Sequence, residues 1–583
     1  MVMKRTAWAV ILVAAMAPAW AQDPNAGDAP DHGVARLSLV QGNVSIRHGD
    51  LGELAPAAIN APLVTTDRVV TGDQGTAEVQ FDFTNMIRLG NSSEVRLSQL
   101  EFKRYQVQIA QGTTTFRVLR DNDAQVEIST PTVSVRPVRA GTYRISVRPD
   151  GITEITVRGG QAEIFGPRGS ETLAQGQTMQ ARGTADDPEF QIVAAIPMDD
   201  FDRFNIDRDR VMQQTSSYRP GYVPPDEAGG ESLDPYGQWQ NDPNYGQVWV
   251  PSEPPGWAPY QNGRWVDEDY YGWTWVSADP WGWAPYHYGG WFMGPLGWAW
   301  WPGGIGAHYW RPAMVGFFGW GAPGFGLGFG FGNVGWLPLG PYEAFHPWYG
   351  AGALAAGRFG GASLGIANTF RNARVNGAIS SMSAANFGRG AVSAASMTRP
   401  NGADLARASA IRGSLSGIQA TSASRRMSDA PVNSRGMPQT NSNTRFASRP
   451  ATGANAARSG GAAAPAWRSL NGYNAGGTRG AAGAAGSTGQ APQSNYRNNG
   501  GAQQGAYATA PRAPAQQQPL RMNAPIVQQR GSSSTSSSST SNRAPSQAPA
   551  QRSAPAPSRS GGGGGSVSRG GGGGGGHGGG GRR

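Results

Sequence analysis

The chain has 583 residues, no cysteine and a formal net charge of +10. Without cysteine it can form no disulfide, thiolate nucleophile, iron–sulfur cluster or zinc site with cysteine ligands. The charge is divided unevenly, because residues 351–583 carry 25 arginines and two acids whereas the first 350 residues have a net charge of −13. This asymmetry predicts a basic tail attached to an acidic folded part.

The first 21 residues have the pattern of an export signal. A short basic stretch precedes an apolar run from Ala7 to Ala17, and an A-x-A cleavage motif occupies 19–21. The run is too short to span a bilayer, and no later stretch has the pattern of a transmembrane helix. We therefore predict a cleaved signal peptide at 1–21, a linker at 22–33 and a mature chain in the periplasm or outside the cell.

Residues 34–196 alternate apolar and polar residues in short runs, such as Thr142–Val147, that are separated by glycine-containing turns. Alternation with a period of two predicts strands with one face on a core and the other in water. The protein is therefore predicted to be mainly β. Its first domain is predicted to be an all-β sandwich or roll, or a short β-solenoid.

The glycine and strand motifs of this stretch resemble those of the FecR family. In chain order they are Gly42, Val70–Gly72, Gly75–Val79, Ile87–Leu89, Thr130-Pro131, Gly141–Ile145, Val157–Gly160 and Gly176-Gln177. In the best-known members this domain is the periplasmic part of a sensor that crosses the inner membrane and acts on a sigma factor. The spanning helix and cytoplasmic segment of those members have no counterpart here. The resemblance thus implies a β-domain suited to binding a protein or a glycan.

Residues 197–217 are predicted to be a helical connector. Asp199 is placed to cap a helix, and the many aspartates and arginines after it predict a solvated face. The apolar face is predicted to consist of Phe201, Phe204, Ile206 and Val211.

Residues 218–348 hold a tryptophan-rich repeat. The segment Gly256–Trp265 recurs 26 residues later as Gly282–Trp291, and a G-W-x-W unit follows each copy. A repeat of this period predicts a small supersecondary unit, here a β-hairpin, stacked on its neighbours. The block resembles an uncharacterised Trp-rich domain that often follows FecR-like domains in secreted bacterial proteins, and the resemblance implies no activity.

Two interpretations of these aromatic residues remain open. In one, the rings pack against each other and against proline as the core of the module. In the other, some rings are exposed as a platform for sugars or proline-rich peptides, with Arg264, Asp267, Glu268 and Asp269 at its edge. The platform residues would be Trp257, Tyr260, Trp265, Trp283 and Tyr286.

We predict a protein that is not an enzyme and has no metal or other cofactor. The spacings of His287, His308 and His346, with Glu343 close to the last, match no ligand signature. No pair of carboxylates is singled out for glycoside hydrolysis.

Residues 349–583 are predicted to be a long disordered tail. Glycine, alanine, serine and arginine dominate it, and large apolar residues are few. Asn368–Gly390 resembles a recurring segment of the same secreted proteins and can add a local strand or helix. The positive charge suits anionic envelope polymers, and export argues against a specific nucleic-acid partner.

Together these features predict an exported, envelope-associated binding or scaffold protein. Its folded modules are expected to contact envelope polysaccharide such as peptidoglycan, or an envelope protein. The alternative is a periplasmic sensory or regulatory component of a FecR-type signalling system that acts through a separate membrane partner.

Overall fold

The computed structural model describes residues 32–449 and 467–469, with gaps at 51, 168, 220–221, 304–308, 322–330, 351–364, 412, 416–417 and 440–443. The predicted signal peptide, nearly all of the linker after it and the tail from residue 470 onward lie outside the described residues. The described residues all belong to one compact unit, which ends at Gly480. Within these ranges, no helix combines the length and the apolar character needed to cross a bilayer.

The described residues from 35 to 194 fold into short strands, as the alternating pattern predicts. The strands are β1 (Ala35–Gln41), β2 (Val44–Arg47), β3 (Leu54–Pro56), β4 (Ala61–Leu63), β5 (Arg68–Thr71), β6 (Thr76–Gln80), β7 (Asn85–Leu89), β8 (Glu94–Glu101), β9 (Arg104–Val118), β10 (Gln125–Ser129), β11 (Ser134–Pro137), β12 (Gly141–Val147), β13 (Thr153–Gly159), β14 (Gln161–Gly166), β15 (Gly169–Ala174), β16 (Gln177–Gly183) and β17 (Pro188–Ala194). Their apolar residues form one core, which confirms the all-β prediction.

The long strand β9 belongs to two sheets. Its first half pairs with β8 and, in parallel, with β10, whereas its second half pairs with β7 and β12. Gly112 lies between the halves with φ of +95°, and a Cβ there would lie 2.4 Å from the Cα of Ser93. Glycine is needed at this corner because other residues rarely adopt that conformation. The architecture is a two-sheet sandwich with a shared strand.

Helix α1 (Asp200–Gln214) follows the sandwich and begins as predicted. Asp199 accepts a hydrogen bond from the Asp202 amide, and the Asp202 side chain accepts one from the Asp199 amide. This reciprocal pair is a capping box, which satisfies amides that the first helical turn leaves free.

The face that α1 turns towards the sheet is the charged one. Arg208 of the helix and Arg88 of β7 both contact the buried Glu78 carboxylate, at 2.8 and 2.7 Å. The predicted apolar residues Ile206 and Val211 are 39% and 53% exposed. The prediction of a solvated charged face therefore holds for only part of the helix, since the Asp200–Arg203 and Asp207–Arg210 pairs are exposed. The arginine that packs on the sheet has a carboxylate partner, as burial requires.

The Trp-rich module consists of hairpins joined by short helices. The strands are β18 (Gly237–Asp242), β19 (Gly246–Pro251), β20 (Gly263–Glu268), β21 (Gly272–Ser277), β22 (Gly290–Gly294), β23 (Gly297–Trp301), β24 (Val315–Trp320) and β25 (Asn333–Pro338). The helices are the 3-10 turns Gly230–Ser232 and Asp234–Tyr236, and α2 (Trp283–His287). Each copy of the 26-residue repeat leads into a hairpin, β20/β21 or β22/β23.

Described segments after residue 364 extend these small sheets. β26 (Ser380–Ser383) pairs with β25, β27 (Ala391–Val392) with β20, and β28 (Ser409–Ala410) with β24. The remaining elements are α3 (Ile366–Thr369), α4 (Gly402–Arg407), the 3-10 turns Arg371–Arg374 and Ser422–Arg425, and β29 (Arg468–Ser469), which pairs with β17.

The tail was predicted to begin at residue 349, but the described residues after 364 pack on the Trp-rich module. Phe387, one of few large apolar residues there, lies 5.0 Å from Trp273 and 5.5 Å from Trp265 between ring centroids. Composition alone predicts a chain without its own core. The segment instead supplies single side chains to a core that the Trp-rich hairpins already provide.

Candidate functional site

A cleft of about 90 Å³ lies between the sandwich and the Trp-rich module. The sandwich contributes the turn between β8 and β9, and the module contributes the turn between β20 and β21. Aromatic rings dominate the cleft, among them Phe102, Tyr105, Tyr270, Tyr271, Tyr288 and Trp310. We call this the aromatic cleft.

Tyr270 is held at the mouth of the aromatic cleft in an unusual backbone conformation. Its φ is +71°, and its side chain is 40% exposed. For a bulky residue this left-handed conformation costs about 1–2 kcal/mol. The ring stacks on His32 with a centroid separation of 3.7 Å. The turn therefore stores strain at a position where an aromatic side chain faces solvent.

The neighbouring Tyr271 forms a rigid wall of the cleft. Its hydroxyl donates a hydrogen bond to the His32 carbonyl at 2.7 Å. Its ring meets Trp310 edge-to-face at 4.8 Å and Tyr349 at 5.2 Å between centroids. Such contacts fix ring orientation beyond what area burial provides.

Polar side chains lie among the aromatic rings that line the aromatic cleft. Glu101 and Asp226 line it, and their carboxylates are paired with Arg104 at 2.9 Å and Lys103 at 3.6 Å. The Trp310 indole Nε1 is buried and has no hydrogen-bond partner among the described residues. Four other tryptophans among the described residues share this feature, so it does not by itself indicate a ligand.

The five residues predicted as an exposed platform do not form one. Tyr260, Trp265, Trp283 and Tyr286 are at most 1% exposed, and Trp257 is half-buried. They pack together instead, as their short ring separations show: Tyr260–Tyr286 at 4.6 Å, Trp265–Trp275 at 5.3 Å and Trp257–Trp281 at 5.7 Å. This corrects the platform hypothesis, because a module with few aliphatic residues needs these rings as its core.

The edge residues of that hypothesis also have internal partners. Arg264 contacts Asp429 at 2.6 Å, and Arg425 contacts Asp269 at 3.3 Å and Asp267 at 3.8 Å. The residues of the aromatic cleft were not predicted from the sequence. The adjacent Tyr270 and Tyr271 at a hairpin turn were the available signal, whereas Phe102 and Tyr105 come from the other domain.

The histidines of the module form no cluster among the described residues. His287 is buried with Nδ1 2.7 Å from the Arg311 carbonyl, and burial lowers its pKa to about 3. Glu343 accepts hydrogen bonds from the amides of Gly340 and Arg371. His308 lies outside the described residues.

A separate group of potential metal ligands brings His48, Asp67 and Glu268 together. One ligand atom of each lies within 4.8 Å of the others. His48 directly follows β2, Asp67 directly precedes β5, and Glu268 ends β20. Burial raises the pKa of Glu268 to about 8. Burial lowers the pKa of His48, but the Glu268 and Asp67 carboxylates outweigh it and raise that pKa above its ordinary value.

Comparisons with known proteins identify two parts of the chain. Residues 67–163 match the family described as FecR protein, and residues 230–343 match a family of unknown function, DUF6600. No curated protein matches the chain.

Two crystal structures of a candidate anti-sigma factor from Parabacteroides distasonis ATCC 8503 are similar over 22% of this chain and 59% of theirs. Their sequences are 18% and 17% identical to this chain, and the TM-score is 0.20 for each. A likeness this low supports no conclusion about this chain. The family matches agree with the sandwich and the Trp-rich hairpins described above. The chain therefore carries a FecR domain followed by a DUF6600 domain.

Proposed function

We propose that the chain is an exported, non-enzymatic binding protein of the cell envelope whose aromatic cleft binds cell-wall glycan. The observation that carries the proposal is Tyr270, an exposed ring held under backbone strain at the mouth of the cleft. Strain of this kind persists where surrounding structure maintains it, and it is concentrated at binding sites.

The chemistry of the aromatic cleft favours a sugar over a purely apolar ligand. The exposed rings of Phe102 and Tyr270 can accept the C–H face of a pyranose. Carboxylates such as Glu101 and Asp226 can accept hydrogen bonds from sugar hydroxyls. A protein segment is the competing ligand, and co-sedimentation with peptidoglycan distinguishes a glycan ligand from a protein ligand.

The two carboxylates of the cleft are engaged in ion pairs. Glu101 is paired with Arg104, and Asp226 is paired with Lys103. Glycoside hydrolysis needs a pair of carboxyl groups that are available to the scissile bond. The cleft is therefore suited to binding without cleavage.

The basic C-terminal region would add charge-dependent attraction to anionic envelope polymers. Residues 351–583 carry 25 arginines and two acids. Attraction of this kind is screened by salt, with a Debye length of about 8 Å at physiological ionic strength. Contacts in the aromatic cleft should be less sensitive to salt. We propose no specific nucleic-acid partner.

Co-sedimentation of the full mature chain with peptidoglycan sacculi across a salt series tests the proposal. The variant is Tyr270→Asn, since asparagine tolerates positive φ and removes the ring. The matched control is Tyr342→Asn, because Tyr342 also has positive φ (+59°) and is 68% exposed but lies outside the cleft.

Salt-resistant binding that Tyr270→Asn weakens and Tyr342→Asn leaves unchanged is the expected result. Absence of salt-resistant binding would contradict the glycan proposal and favour a protein ligand.

The second candidate function is that of a sensory component acting through a separate membrane partner. The FecR match over residues 67–163 favours it. Deleting the gene would then change transcription of a sigma-factor regulon, and Tyr270→Asn would fail to restore the wild-type pattern. An unchanged transcript profile would count against sensing.

A further inference from the structure

The cluster formed by His48, Asp67 and Glu268 lies outside the aromatic cleft and joins the two domains. His48 Nδ1 is 3.3 Å from Asp67 Oδ1 and 4.0 Å from Glu268 Oε2. In a tetrahedral zinc site with metal–ligand distances of about 2.0–2.2 Å, ligand atoms lie roughly 3.3–3.5 Å apart. The His48–Asp67 distance lies in this range, and Glu268 would move closer by roughly 0.5 Å or more to bind the same ion.

Two atoms of the cluster are left without partners. Glu268 Oε1 and His48 Nε2 are buried and have no hydrogen-bond partner among the described residues. The Glu268 side chain is only 2% exposed. A buried carboxylate without a donor is costly, so its presence calls for a compensating group.

Asp67 is oriented towards the cluster by the backbone around it. Its Oδ2 accepts a hydrogen bond from the Val64 amide at 2.9 Å, and its Oδ1 accepts one from the Gly49 amide at 3.3 Å. Supporting bonds of this kind hold a ligand carboxylate in place before a metal arrives.

A divalent cation fits the charges of this cluster. It would neutralise both carboxylates and bind neutral His48 through Nδ1, the nitrogen that faces them. Arg425 does not neutralise the Glu268 carboxylate, because it pairs with Asp267 and Asp269 instead.

We propose that His48, Asp67 and Glu268 bind a divalent transition-metal ion of the zinc class. One nitrogen and two oxygens suit zinc and leave a fourth position for water. Calcium is disfavoured, since it takes about six to eight oxygen ligands. The ion would tie the β20/β21 hairpin to the sandwich and fix the turn that carries Tyr270. The three ligands are far apart in the sequence, so no local spacing motif predicts the site.

Zinc titration of the full mature chain, purified without a histidine tag and stripped with a chelator, tests this proposal. Calorimetry gives stoichiometry and affinity, and thermal unfolding gives the zinc-dependent shift in Tm. The variants are Glu268→Gln and His48→Gln. The matched control is Glu53→Gln, because Glu53 is an exposed glutamate on the loop after His48.

The expected result is one zinc ion per chain, a Tm raised by zinc and unchanged by calcium, and an affinity at least about 100-fold lower in both ligand variants. Loss of supporting outer-shell groups alone lowers metal affinity about 10–100-fold. Glu53→Gln should bind like the wild type.

Glu268→Gln also separates ligand loss from misfolding. It removes a buried carboxylate whose Oε1 has no hydrogen-bond partner and whose Oε2 is 4.0 Å from His48, so its metal-free Tm should stay close to that of the wild type. A wild-type chain that takes up no stoichiometric zinc would overturn the proposal. Zinc binding of wild-type strength in folded Glu268→Gln or His48→Gln would overturn it too.

Discussion

Glu78 shows how a single buried carboxylate holds helix α1 on the sandwich. It is fully buried and is contacted by Arg88 of β7 and Arg208 of the helix. Burial raises the pKa of Glu78, but the two arginines outweigh it and hold that pKa well below its ordinary value of 4.5. Removing one member of such a group leaves uncompensated buried charge.

We predict that Glu78→Gln destabilises the protein by about 3–5 kcal/mol near pH 7. Because the folded-state pKa is depressed, the contribution of Glu78 is present above pH 4.5 and is lost as the pH falls through the folded-state pKa. The difference between wild type and variant should therefore shrink in acid. Urea unfolding at several pH values measures it.

The control for this series is Glu189→Gln. Glu189 pairs with Arg182 at the surface, with both side chains nearly half exposed, so its loss should cost less than about 1 kcal/mol. A constant difference between wild type and Glu78→Gln at every pH would contradict the role assigned to Glu78.

For the segment after residue 364, amino-acid composition predicts disorder, whereas its described residues pack on the Trp-rich module. Gly388 has φ of +73°, and a Cβ there would lie 2.2 Å from the Trp273 ring. Gly377, in the same segment, has φ of +80° and nothing within 4 Å of its Cβ position.

We predict that Gly388→Ala lowers stability by about 1–3 kcal/mol more than Gly377→Ala, because only the first combines backbone strain with overpacking. Thermal unfolding followed by tryptophan fluorescence measures the difference. Equal effects would mean that this segment does not pack on Trp273.

Local patterns were sufficient to predict some elements and not others. Alternation and glycine turns predict the strands of the sandwich, and Asp199 predicts the start of α1 within one residue. The prediction was wrong for the face of α1 that packs on the sheet. The sequence alone does not show that Arg208 pairs with Glu78 on a distant strand. The aromatic cleft combines residues 102, 105 and 270, and no local pattern connects them.

At the scale of the whole molecule, the two domains share buried polar contacts. Arg36 of β1 donates to Glu231 of the Trp-rich module at 2.6 Å, and both side chains are almost fully buried. Asn60 donates to the Asp279 carbonyl at 2.8 Å. Tryptophan is absent from residues 34–196, so tryptophan fluorescence reports mainly on the Trp-rich module. Trp467, whose ring lies 4.0 Å from the Arg182 guanidinium of the sandwich, is the exception.

We predict that Arg36→Ala, a change in the sandwich, lowers the unfolding midpoint seen by tryptophan fluorescence, with a loss of about 3–5 kcal/mol from the unpaired Glu231. The control is Arg148→Ala, because the Arg148–Asp150 pair is nearly half exposed and should contribute less than about 1 kcal/mol. An unchanged midpoint in Arg36→Ala would show that the domains unfold independently.

The most direct test of the glycan-binding account is calorimetric titration of the full mature chain with soluble peptidoglycan fragments. The account predicts one site per chain and an affinity about two- to tenfold weaker in Tyr270→Asn, since one stacked ring contributes about 0.5–1.5 kcal/mol. Tyr342→Asn should bind as the wild type does. Absence of binding, or equal loss in both variants, would contradict the assignment of the aromatic cleft.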